Sequence, residues 1–129
     1  MLATLIQNNT SINESVTASH VLVLLPKLEK LPNKYDLLGE ETLKAFLARR
    51  QMEFSHLSET PACANLINGT LCAWVMVDLE QPIFDQQTAI RKALQLLLDE
   101  EPSSVHLAVY GNSHQKQLLA RLSVYVAWV

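Results

Sequence analysis

At 129 residues the chain has the length of one domain, enough to bury roughly two thirds of the surface its unfolded form exposes. With 49% hydrophobic and 18% charged residues it is a folding chain and not a disordered one. Its ten basic residues gather no further than Arg49-Arg50 and Arg91-Lys92 within a net charge of -3, which argues against the basic stripe of a nucleic-acid binder.

The opening residues Met1 to Gln7 lack the basic start and apolar run of a signal peptide. The longest apolar stretch, Leu71 to Val77, is far shorter than the ~20 residues that span a bilayer, so no membrane partner is expected. On these grounds Cys63 and Cys72 read as reduced thiols in the cytoplasm.

In chain order, Leu2-Gln7 is a weak strand candidate, and a polar loop follows it from Asn8 to Ser19. Val21-Leu25 is apolar without alternation, as a strand buried on both faces would be. Glu40 to Met52 sets Leu43, Phe46 and Leu47 on one helical face. Gln51-Thr60 is the loosest stretch. Ala62-Ile67 and Leu71-Asp78 read as strands joined into a hairpin at Asn68-Gly69. Asp85 to Asp99 predicts a helix capped by Asp85 and limited by Pro102, with Ile90, Ala93, Leu94 and Leu97 inward. Val105-Tyr110 is the last strand. Ser113 is positioned to cap a final helix carrying Leu118, Leu119, Leu122 and Val126. This alternation predicts an α/β domain, a mostly parallel sheet flanked by helices.

No catalytic constellation is legible in these residues. Three glycines, Gly39, Gly69 and Gly111, stand where average usage gives about nine, and neither G-x-G-x-x-G nor G-x-x-x-x-G-K is present. A Gly-rich phosphate loop is therefore not expected. His20, His56, His106 and His114 show no ligand spacing and read as surface or hydrogen-bonded core residues; only His106, inside a strand, would be held rigidly. Asp78 and Glu80 fall at the carboxyl edge of a strand, where α/β sheets place their sites, although acids also simply end strands. Cys63 and Cys72 flank the hairpin turn and could face each other; they read as structural thiols. The segment Val124 to Val129 is apolar all round and no polar tail follows it. It predicts an interface formed by Leu122, Tyr125, Val126, Trp128 and Val129, and a chain cut from a longer one. Burial of that end in the domain's own core is the alternative.

The runs Ser19-His20-Val21-Leu22-Val23-Leu24-Leu25-Pro26, Glu40 to Leu47 and Ala73-Trp74-Val75-Met76-Val77-Asp78 resemble the N-terminal domain of the leucyl aminopeptidase (cytosol aminopeptidase) family. So do Asp85 to Leu98, Ser103 to Val109, and the closing Gln117 to Tyr125. The likeness spans roughly residues 18 to 129 in element order and apolar pattern, without a diagnostic motif. It implies a three-layer macro-domain-like fold over 1–129, joined to a C-terminal catalytic domain that holds two divalent metals, zinc or manganese, and cleaves N-terminal residues from peptides. It implies a hexameric parent in which this domain, without catalytic residues or cofactor of its own, serves assembly and active-site access. The family's Asn-Thr-Asp-Ala-Glu-Gly-Arg signature has no counterpart here. The turn Leu79-Glu80-Gln81-Pro82 lacks an expected glycine, and Arg121 and Ser123 stand in the last helix where the family often has glycine. A free-standing macro-like module binding ADP-ribose or another nucleotide is the alternative reading, and the glycine count weighs against it.

Overall fold

Two central strands organise the molecule. In a computed structural model that describes the backbone of residues 4–7, 19–27, 37–67, 69–102 and 104–128, and side chains within 19–27, 37–67, 69–102 and 104–123, β2 (His20–Pro26) and β4 (Leu71–Val77) lie side by side in parallel. All of β4 and all but the first residue of β2 are buried. Their unbroken apolar sequence follows from having a core on each face.

The sheet order is β1-β5-β2-β4-β3, with β1 spanning Thr4–Gln7, β3 Ala62–Asn65 and β5 Ser104–Val109. β1, β5, β2 and β4 run parallel, and β3 returns antiparallel on β4. The predicted hairpin is present, and its turn is closed by Leu66 N–H to Thr70 O at 2.8 Å, with Gly69 at φ 92°.

Alternate residues of each strand feed two cores. Val21, Val23, Leu25, Trp74 and Met76 join Leu43 and Leu47 of α1 (Glu40–Arg49) on one face. Leu22, Leu24, Ala73 and Val75 join Ile90, Ala93, Leu94 and Leu97 of α2 (Ile83–Leu98) and Leu119 of α3 (Ser113–Trp128) on the other. The result is three layers, helix, sheet and helix. The β2-to-β4 connection crosses one face, and the β4-to-β5 connection returns in the opposite direction over the other. Reversing both direction and face preserves crossover handedness, as parallel connections require.

Several local expectations need correction. α2 starts two residues before Asp85, with Pro82 at the cap position, so Asp85 sits in the first turn and favours the helix dipole without capping it. α1 stops at Arg49 because Gln51 takes φ 54°, outside helical space. Gln51-Thr60 is not loose: it contains a 3-10 helix, Phe54–Ser58, that buries Leu57 completely. There Glu53 N–H donates to His56 Nδ1 at 3.0 Å. Asn112, not Ser113, caps α3: its Oδ1 accepts from Gln115 N–H at 2.8 Å while Gln115 Oε1 accepts from Asn112 N–H at 2.9 Å.

Candidate functional site

Of the concave regions that the described residues form beside the helices of the second core, two bear on function. The first is a polar cleft of about 360 Å³ at the carboxyl edge of the sheet, lined by Pro26, Lys27, Asp78, Leu79, Glu80 and Gln115. It lies outside the ends of β2 and β4, where the two crossovers diverge and open α/β sheets hold ligands. Lys27 Nζ approaches Asp78 Oδ2 at 3.6 Å, and Asp78 Oδ1 accepts Glu80 N–H at 3.0 Å. Asp78 therefore does what an acid at a strand end commonly does: it fixes the next turn. Gly111, at φ 123°, packs behind Gln115 and Pro26 of the lining; a Cβ there would stand 2.7 Å from Gln115 Oε1. Among the described residues no three His, Cys, Asp or Glu side chains converge as metal ligands.

The second region is an apolar groove of about 440 Å³ between the start of α2 and the middle of α3, lined by Leu79, Ile83, Gln86, Gln87, Leu118, Arg121 and Leu122. Gln86 explains how the corner before α2 manages without glycine. Its buried amide donates to Leu79 O at 3.1 Å and Gln81 O at 2.7 Å, so a side chain ties the turn. Beside the groove Ile83 is 64% and Phe84 71% exposed. Of the interface set read from sequence, Leu122 is half-buried and lines this groove. Tyr125, Val126 and Trp128 belong to α3, but their side chains, and Val129 altogether, lie outside the described residues. Starting the helix at Asp85, as the sequence suggests, leaves Ile83 and Phe84 in the preceding turn, whereas they are the first two residues of α2. The available signal was their consecutive placement, which one buried helical face cannot absorb.

The histidines separate. His56 closes the 3-10 helix, and His114 is exposed in the first turn of α3. His106 in β5 has a buried Nδ1 without a hydrogen-bond partner among the described residues. His20 differs: its Nδ1 lies 2.8 Å from Ser19 Oγ and its Nε2 2.8 Å from Glu100 Oε1. Sequence spacing could not reveal this grouping, because Glu100 is eighty residues away and reaches His20 only through the β4-to-β5 crossover.

The cysteines do not face each other. Cys63 pairs with Ala73 and Cys72 with Ala64, so the thiols point to opposite faces of the sheet. Burial raises the Cys63 thiol above its ordinary 9.0, helped by Glu100 nearby. Burial, and secondarily Cys63, pushes Cys72 far higher. A thiol with a raised folded pKa stays protonated while the unfolded one ionises, so its stabilising effect is intact below about pH 9 and lost as pH rises above it. Urea denaturation is expected to show stability falling between pH 8 and 10, by up to about 1.4 kcal/mol per pH unit from Cys72 above the unfolded value. Cys72→Ala should flatten that decline; an unchanged slope would contradict the assignment.

Compared with family models, curated proteins and solved structures, the chain matches none.

Proposed function

We propose that this chain is an assembly domain that docks through its α2/α3 face. The observation that carries the reading is the apolar groove with Ile83 and Phe84 exposed at its rim. Knob and socket lie side by side on one layer, which suits a second copy of the chain related by a two-fold axis: each copy's Phe84 enters the other's groove. Arg121 in the groove wall then meets the incoming ring face, a favourable cation–π geometry. Two adjacent exposed apolar residues beside an apolar groove are what an interface commonly presents.

The resemblance to leucyl aminopeptidases extends this reading. The parent would be a cytoplasmic two-metal aminopeptidase, a hexamer in which this domain joins subunits and shapes active-site access. Its zinc or manganese ions and peptide hydrolysis would belong to the C-terminal catalytic domain. The helix-sheet-helix layering supports the macro-like form that goes with it. Among the described residues no helix is long and apolar enough to cross a membrane.

The test is Phe84→Glu, which places a charge at the centre of the proposed contact without touching either core. Sedimentation should show self-association weakened at least 30-fold, as expected for a central aromatic anchor worth about 2 kcal/mol or more, with an unchanged melting temperature. Equal association of wild type and variant would remove the groove from the account. The polar cleft favours a second reading, a nucleotide-binding module. Micromolar ADP-ribose binding, abolished by Lys27→Ala, would put that reading first.

A further inference from the structure

Away from the cleft and the groove, at the amino edge of the sheet, three side chains form a hydrogen-bonded row. Ser19 Oγ is 2.8 Å from His20 Nδ1, and His20 Nε2 is 2.8 Å from Glu100 Oε1. An ionised carboxylate only accepts hydrogen bonds, so Nε2 carries the imidazole proton and donates it to Glu100. Nδ1 is then left with its lone pair, and the Ser19 hydroxyl donates to it. This is the order nucleophile, base, orienting acid that activates a hydroxyl.

The central imidazole is the covered member of the row, between an exposed Ser19 and a Glu100 side chain 57% exposed. Ser19 is exposed to an incoming molecule, while the His20 side chain is only 12% exposed and so held in one orientation. The backbone of Ser19 is fixed as well, because its carbonyl accepts Leu71 N–H at 2.9 Å. Glu100 is held in the turn that ends α2, its N–H donating to Leu97 O at 3.2 Å.

We infer that Ser19 is a nucleophile toward small activated carboxylic esters, with His20 as general base and Glu100 as a positioning residue. The Ser19 oxygen bonds to the ester carbonyl carbon as its proton passes to His20 Nδ1, and Glu100 holds the resulting imidazolium. Collapse of the tetrahedral intermediate breaks the ester C–O bond, and the alcohol leaves with the proton from Nδ1. Water then adds to the acyl-serine by the same proton route, releasing the carboxylic acid and restoring the hydroxyl. The inference is independent of the docking face, which shares none of these residues.

The test treats the full chain with p-nitrophenyl acetate and, separately, with a fluorophosphonate, and maps the adduct by peptide mass. The expected result is one acyl or phosphonyl group per chain, on Ser19, and none in Ser19→Ala. His20→Gln should slow modification by about 10²- to 10⁴-fold, the usual contribution of a general base. Glu100→Gln, a half-exposed and nearly isosteric change, should slow it roughly tenfold by removing the charge that orients the imidazole. Should His20→Gln fail to fold by circular dichroism, Glu100→Gln decides. An adduct on Cys63 or a lysine, a burst that survives Ser19→Ala, or wild-type labelling in Glu100→Gln would each overturn the assignment.

Discussion

Trp74→Ala is expected to lower stability by about 4 kcal/mol, within the 3–5 kcal/mol typical of removing a buried aromatic. Trp74 is fully buried in the middle of β4, and its Nε1–H donates to Leu38 O at 2.9 Å. Tyr110 Oη accepts Leu38 N–H at 2.8 Å, so two aromatic residues, one in β4 and one just after β5, hold one residue just before α1. Losing the indole opens a cavity and leaves a buried carbonyl unpaired, and both effects are unfavourable. With total stability of about 5–15 kcal/mol for domains in general, this is a large fraction. Thermal unfolding should move down by on the order of 15 °C. A shift under 5 °C would mean that this corner is not the keystone of the first core.

Gly39→Ala should act at the same corner by overfilling it. Gly39 has φ 68°, a left-handed conformation costing an L-residue about 1 kcal/mol or more. An added Cβ would stand 2.6 Å from Leu66 Cδ2 and 2.8 Å from Trp74 Cζ2, both too close without movement. Overpacking of this kind typically costs 1–3 kcal/mol, so about 2–4 kcal/mol in total is expected from urea denaturation. The two sites are in contact, and their effects should not add: Gly39→Ala should cost less in a Trp74→Phe background, where the ring is smaller. Strict additivity would show that backbone conformation alone sets the cost.

How much of this was legible in the sequence depends on the range of the interaction. The buried strands Val21-Leu25, Leu71-Asp78 and Val105-Tyr110 could be read because a two-faced core demands unbroken apolar runs. The hairpin could be read because Asn68-Gly69 marks a local turn. Element starts were less accurate: Pro82 opens α2 by its fixed φ and Asn112 caps α3, whereas an acid and a serine nearby looked equally suited. The functional features were mostly not legible. The groove depends on how α2 and α3 lie against each other, and Phe84 falls outside a helix read as starting at Asp85. The Ser19–His20–Glu100 row depends on a crossover that brings residues eighty apart within 2.8 Å. The opposite-facing cysteines follow from hairpin register, which a one-residue shift would reverse.

The docking face is the central claim, and sedimentation of the wild-type chain over a wide concentration range tests it most directly. The account predicts that the mass rises from that of one chain toward that of two as concentration increases. A strict monomer at the highest concentration reached would contradict it.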